Sequence, residues 1–313
     1  MNFEINQFYS HTQHFVDLSK FNNFINDLLN SEKFDLDKKS KLQSLIGSDV
    51  WKQIQQSTYW RHNIFNGGLS GPFTEYFACF NPQWKTDFWG GDVQPLDITY
   101  LSEHAIPRAY QSAVFKTQQI LFSKSKEFSN NRKFEVATLA CGTMYDVLGA
   151  SYEDRKKVFF CGYDVDKESL SLVKEKAIQL KYDDEQIELC ECDIVTSSLP
   201  KDHYDTIICN GFSFYIYDEQ LCQVIENVKQ ALKSNGIFVM SFIQPPHLWQ
   251  MDEEEKKVSA IYKEILDLFP KKWSAHLRTG DHVLSILEKS GLANVSVLEE
   301  RHGIHPLVLA HKI

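Results

Sequence analysis

The chain has 313 residues, 43% of them hydrophobic and 24% charged, and a net charge of −9. That length suits one large domain, or a core of about 180 residues with an extension. No apolar run reaches the roughly 18 residues of a membrane-spanning helix, the first residues (Met1–Asn6) lack the basic and apolar regions of a signal peptide, and neither half of the chain carries the basic excess that nucleic-acid phosphates require.

Residues 1–130 are rich in Phe, Asn and Gln. Helical patterns run over Phe15–Leu29 and Ile106–Phe122, and Gly67-Gly68, Gly71-Pro72 and Gly90-Gly91 mark a loop-rich segment between them. The aromatic content is too high for a disordered tail, so this region is expected to form a mainly helical cap on the substrate side. From residue 131 onward, strand and helix alternate. The runs Phe134–Ala140, Val158–Asp164, Gln186–Cys192, Tyr204–Asn210 and Gly236–Phe242 are short, apolar and rich in β-formers, as parallel strands buried on both faces are. Between them, Leu170, Val173, Ala177 and Leu180 share a helical face, and Leu221, Val224, Ile225, Val228 and Leu232 share another behind an N-cap at Asp218. Gln244-Pro245-Pro246 then breaks the rhythm. The acidic run Asp252–Glu255 opens one more amphipathic helix, and residues 244–279 are expected to be an insertion near the carboxyl edge of the sheet. A helix over Asp281–Lys289 and strands near Asn294–Glu299 and Leu307–His311 close the chain in an antiparallel finish. The prediction is an α/β fold. A doubly wound, mostly parallel seven-stranded sheet occupies residues 131–313, and the helical cap occupies residues 1–130.

The cysteines are Cys79, Cys141, Cys161, Cys190, Cys192, Cys209 and Cys222, an odd set without a C-x-x-C spacing. They read as free thiols in a reducing, cytoplasmic compartment, with no metal site. His302 and His305 lie too near the C-terminal strand pair to invite a metal reading.

Chemistry gathers at the strand ends. Val136–Leu139 run straight into Ala140-Cys141-Gly142-Thr143-Met144, a small-residue turn whose N–H groups can meet a carboxylate or phosphate. Asp164 ends the second strand, 22 positions after Gly142, where a carboxylate can accept from both hydroxyls of a ribose. An alternative gives the ribose to Asp166 and makes Asp164 a helix cap. Asp193 ends the third strand, placed to accept from an adenine amino group, with Ile194 to cover one face of the base. Asn210-Gly211-Phe212 ends the fourth in a polar turn. Together these four ends point to an adenosine cofactor.

On these residues, the segment 134–243 resembles the class I methyltransferases that use S-adenosylmethionine (SAM). Leu139–Thr143 is similar to their first glycine motif, Gly162-Tyr163-Asp164 to their ribose acid, Cys192-Asp193 to their adenine acid, Asp205–Phe212 to their fourth motif, and Leu232–Gly236 to the turn before their fifth strand. Asn210-Gly211 with Tyr215, and the stretch Phe242–Pro246, resemble bacterial members. Met144 departs from the pattern by standing where most members have a second glycine. Asn210-Gly211-Phe212-Ser213 lacks the prolines of the Asn-Pro-Pro-aromatic motif of amino-group methylases. The resemblance implies SAM as cofactor and S-adenosylhomocysteine (SAH) as product, held by Ala140, Cys141, Gly142, Met144, Asp164, Val165, Asp193, Ile194, Asn210, Gly211 and Phe212. The expected acceptor is a small molecule, with a protein methyltransferase and a non-catalytic SAM/SAH-binding protein as alternatives. Neither nucleic acid nor membrane is an expected partner. Tyr59, Trp60 and Arg61 suit a small anionic or planar substrate, and His62, Tyr215 and His247 are candidate general bases; for each of these six, ordinary packing is the competing explanation.

Overall fold

The computed structural model describes residues 15–67, 71–128, 132–270 and 275–313. The readings made on Met1–Asn6 and on Gly68 lie outside them. The chain forms two compact units: residues 1–108 with 251–274, here the helical unit, and residues 109–250 with 275–313, here the α/β unit. The dividing points are therefore Arg108 and Ala109, not residue 130, and only the middle of the expected 244–279 insertion groups with the N-terminal residues.

The helical unit holds α1 (Leu18–Asn30), α2 (Leu36–Leu45), α3 (Asp49–Gln56), α4 (Thr58–Asn66), α5 (Gly71–Cys79) and α6 (Pro95–Ile98), followed by a π-helical turn, Thr99–Glu103. The expected loop-rich segment is thus largely helical. Its glycines and proline punctuate helix ends: α4 closes on Gly67 at φ 65°, and α5 begins with Gly71-Pro72. The long α7 (Ala105–Ser125) crosses the division between the units.

In the α/β unit, β1 (Phe134–Leu139) leads into the short α8 (Tyr145–Leu148). There follow β2 (Val158–Asp164), α9 (Lys167–Gln179), β3 (Ile187–Glu191), β4 (Tyr204–Cys209), α10 (Asp218–Ala231) and β5 (Leu232–Ser241). The chain then leaves for α11 (Glu253–Asp267) of the helical unit and returns as α12 (Gly280–Lys289), β6 (Ala293–Leu298) and β7 (Leu307–His311). The seven strands lie in the order β3-β2-β1-β4-β5-β7-β6. Strands β1 to β5 pair in parallel, and β7 runs antiparallel to both β5 and β6. The order reverses between β1 and β4, the switch point beside which such sheets bind ligands at their carboxyl ends.

The sheet is covered on both faces. Ala137, Leu139, Ile207 and Phe238 pack with Leu221, Val224 and Val228 of α10 and with Val283 and Leu287 of α12. On the other face, Val136, Phe160, Ile208 and Val239 pack with Val147 of α8, with Val173 and Ala177 of α9, and with Ala113 and Leu121 of α7. Double-sided burial explains the uninterrupted apolar runs. The expected turn Leu232–Gly236 is drawn into β5 as an irregularity, with Asn235 at φ 64°. No helix among the described residues is long and apolar enough to cross a membrane.

Candidate cofactor site

The turn after β1 is held in an unusual backbone conformation. Ala140, Gly142 and Met144 have φ values of 48°, 49° and 52°. Left-handed geometry costs a non-glycine residue roughly 1–3 kcal/mol, so the surroundings must impose it. They do so from several sides. The Cys141 N–H donates to the Tyr163 carbonyl (3.0 Å), and Lys176 donates to the Thr143 carbonyl (3.2 Å). Met144, which replaces the usual second glycine, adopts the left-handed conformation all the same and buries its sulfur beneath Gly162, where a Cβ would stand 2.6 Å from it.

Asp164 ties this turn to the end of β2. One carboxylate oxygen accepts from the Gly142 N–H at 2.7 Å, the other from the Asp166 N–H at 2.9 Å. Burial pushes its pKa above the usual range. Asp166 does something else: it caps α9, accepting from the Glu168 N–H (3.1 Å) and the Ser169 hydroxyl (2.6 Å). Of the two carboxylates weighed for the ribose, Asp166 is therefore the helix cap, and Asp164 stands at the turn. Val165, beside it, is 66% exposed. Asp193, beyond β3, is exposed and accepts from the Val195 N–H at 2.9 Å. Ile194, expected to cover the base, is buried in the core facing α10, and Val165 is the more open apolar surface.

At the end of β4, Asn210 donates from Nδ2 to Thr117 (3.0 Å) and to Asp146 (2.9 Å). Its Oδ1 is buried and has no partner. Asp146 is itself buried, and desolvation pushes its pKa up to about 6. The Gly211 N–H donates to Ser241 at 2.8 Å; a Cβ at this residue, whose φ is 73°, would stand 2.8 Å from the Tyr110 hydroxyl. Only glycine tolerates both the conformation and the approach. Asp205, the first residue of the expected fourth motif, plays no part here. It is buried near the start of β4 and bonded to Arg132 and Lys233.

Three residues to which the sequence assigned no cofactor or substrate role gather at this end. The hydroxyls of Tyr110 and Tyr145 are 2.5 Å apart, and the His305 ring lies 5.3 Å from that of Tyr110. His305 is 4% exposed, its Nδ1 has no partner, and burial pushes its pKa down to about 3, which keeps the ring neutral. Its loop is fixed by Glu300, whose carboxylate accepts from the N–H groups of His302 (2.7 Å), Ile304 (2.5 Å) and His305 (3.1 Å). Because Leu307 pairs with Ser241, this loop adjoins the carboxyl end of β5.

Four of the substrate-side and general-base candidates are packed inside the helical unit. Arg61 is 7% exposed and donates to the carbonyls of Val16 (2.9 Å), Gln55 (2.5 Å) and Gln56 (3.0 Å), which makes it a tie within the helical unit. Tyr59 and Trp60 are buried in that unit's aromatic core. His62 is buried, stacked on Phe73 and paired with Asn66 at 3.0 Å. Tyr215, on the turn after β4, is 37% exposed, and His247 lies exposed after β5.

The donor set fits an adenosylated amino acid. Carboxylates stand at the ends of β2 and beyond β3, an exposed valine adjoins one of them, and a buried carbonyl oxygen lacks a donor at the end of β4.

Comparison with known proteins identifies the family. The family model described as "Methyltransferase domain" matches residues 130–291. No curated protein matches the chain. Among solved structures, one described as "a possible exported protein" from Bordetella parapertussis is 22% identical over 97% of this chain and 98% of its own, with a TM-score of 0.69. At that identity the likeness is one of fold. More distant matches include the magnesium protoporphyrin IX methyltransferase of Synechocystis PCC 6803 with bound SAH, at 14% identity over 88% and 100% of the two chains and a TM-score of 0.49. Another is a SAM-dependent methyltransferase from Mesorhizobium loti, at 18% identity over 60% and 96%, with a TM-score of 0.42.

Proposed function

The chain belongs to the methyltransferase-domain family, and we propose that this SAM-dependent methyltransferase delivers the methyl group to a small-molecule acceptor. The observation that carries the site assignment is the buried, donorless Oδ1 of Asn210, at the end of β4 in a sheet whose neighbouring strand ends carry Asp164 and Asp193. Asn210 would accept from the ammonium of the amino-acid half. Asp164 would accept from the ribose hydroxyls through the lone pairs its backbone bonds leave open, Asp193 from the adenine amino group, and Val165 would lie against the base. SAM, when bound, supplies a methyl group already activated by its sulfonium. The protein's remaining work is to orient a nucleophile and exclude water. Tyr110, beside Gly211 and bonded to Tyr145, and the neutral His305, whose ring neighbours that of Tyr110, would serve that work, and Tyr215 and His247 remain general-base candidates in the same unit.

The acceptor class rests on composition and charge. The net charge of −9 disfavours nucleic acid, and a composition rich in aromatics is one that small-ligand sites share. Seven free thiols suit a reducing compartment such as the cytoplasm. Incubation with methyl-labelled SAM and fractionated extracts tests the reading. Label appearing in metabolites supports it, and label confined to polypeptides would make this a protein methyltransferase. SAH binding without label in either fraction would leave a non-catalytic binding protein.

A further inference from the structure

A second group of chemistry-bearing side chains lies on the sheet away from the strand ends. Cys161 on β2 is in register with Glu188 on β3, and Tyr163 with Cys190. Side chains alternate along each strand, so these four share a face. The sulfurs of Cys161 and Cys190 and a carboxylate oxygen of Glu188 all lie within 4.8 Å of one another. The Cys190 thiol is 3.9 Å from Glu188 Oε1. The cluster runs from the core to solvent, since Cys161 is 1% exposed while Glu188 is open to water.

One further observation bears on this face of the sheet. Tyr163, which shares the face with Cys161 and Cys190, hydrogen-bonds through its hydroxyl to that of Tyr204 at 2.6 Å. Two sulfurs and a carboxylate are thus held side by side on two paired strands, close enough for one cation to draw on all three.

We propose that Cys161, Cys190 and Glu188 form a binding site for a thiophilic divalent cation of the zinc class, with solvent as the fourth ligand. Two sulfurs and one carboxylate select such an ion over magnesium or calcium, which prefer all-oxygen shells. Ligand atoms around tetrahedral zinc, with bonds of about 2.0–2.3 Å, stand roughly 3.3–3.8 Å apart, so closure needs a contraction of at most ~1.5 Å. The chain position gives the ion a purpose. Strand β3 is the sheet's edge, paired only with β2 and half-exposed along its length. An ion bridging the two strands would fasten that edge. The inference departs from the sequence expectation of no metal, and it does not depend on methyl transfer.

The test uses the full chain, reduced and stripped of metal, titrated with Co²⁺ and followed by the thiolate-to-cobalt charge-transfer band. About one equivalent should saturate the band, and Zn²⁺ should displace it. Cys161→Ser and Cys190→Ser should each abolish the saturable band, Glu188→Gln should weaken binding by about tenfold or more, and Cys222→Ser should leave it intact. Zn²⁺ should also raise the wild-type melting midpoint and fail to do so in Cys190→Ser, a readout that survives if Cys161→Ser does not fold. A missing band in the wild type, or one that persists in Cys190→Ser, would overturn the proposal. So would a Cys161–Cys190 disulfide under mild oxidation coupled with no metal uptake under reduction.

Discussion

Arg61 in the helical unit and Asn210 in the α/β unit both carry buried polar atoms, and they use their hydrogen-bonding capacity in opposite ways. Arg61 commits its guanidinium to the carbonyls of Val16, Gln55 and Gln56 and to the Thr58 hydroxyl (3.3 Å), closing the start of α4 onto the end of α3. Asn210 commits its amide nitrogen to Thr117 and Asp146 and leaves its oxygen without a donor. Leaving a buried acceptor unmade costs about 1–3 kcal/mol, a cost that a ligand's donor would remove. The contrast separates a residue that builds a scaffold from one poised for a ligand, although by type alone arginine is the more obvious binder.

That contrast can be broken most forcefully at Arg61. Arg61→Ala strands three carbonyls, so it should destabilise the protein by at least ~3 kcal/mol. Folded material should still bind SAH within about twofold of wild type, since the sites do not share partners. A folded variant with greatly weakened SAH binding, measured by calorimetry, would return Arg61 to the ligand side.

Next in size is the buried Asp146. Its folded pKa of about 6 lies above the ordinary 3.8. Its contribution is therefore most favourable below the unfolded pKa, declines as pH rises towards 6, and stays unfavourable above, by up to ~3 kcal/mol at about 1.4 kcal/mol per unit. Asp146→Asn should raise the melting midpoint at pH 7.5 and leave it nearly unchanged at pH 4. An equal shift at both pH values would mean that packing, not ionisation, sets its cost.

Asp164→Ala should weaken SAH binding about 10- to 150-fold, from hydrogen bonds of ~1.5–3 kcal/mol to a charged group. Asp193→Ala should fall in the same range. Asp166→Ala should instead cost about 1 kcal/mol of stability through the lost cap of α9, with affinity retained. Calorimetric titration of the three variants separates the roles. Affinity lost only in the Asp166 variant would reverse the assignment.

The smallest effect is expected at Ala140→Gly. Relief of left-handed backbone at φ 48° is worth ~1–2 kcal/mol, and the flexibility of glycine in the unfolded chain removes ~0.5–1 of it. A net gain of a few tenths to about 1 kcal/mol in chemical denaturation would confirm that the turn is strained.

The sequence revealed the α/β unit more fully than the helical one, for physical reasons. Burial on both faces forces strands to be apolar throughout, so all seven could be bounded within a few residues, and strand order then places their ends at a ligand edge. The choice between Asp164 and Asp166 stayed open because it depends on where a carboxylate reaches, which spacing cannot say. Tyr110 and His305 meet across nearly two hundred residues, and no local pattern encodes such a contact. Tyr145, directly after the first turn, carried a weak positional signal. In the helical unit, Gly67 and Gly71-Pro72 read as loop because the same residues that interrupt structure also begin and end helices. The inward facing of Tyr59, Trp60 and Arg61 was invisible in a segment whose polar and aromatic residues suit either a pocket or a core.

The splicing of α11 into the helical unit bears on how the protein is made. Tyr262 stacks on Trp60, with ring centres 5.7 Å apart, and meets Tyr100 edge-on at 4.7 Å, so the aromatic core begun by the first 108 residues is completed only by a later stretch. At ribosomal rates of about 5–20 residues per second, the 143 residues from Arg108 to Met251 take ~7–29 s to synthesise. Throughout that interval the nascent chain carries Trp60 and Tyr100 without their partner. The newborn polypeptide thus has a window of exposure to chaperones and to aggregation that the finished protein lacks, and slowing translation between these points would lengthen it.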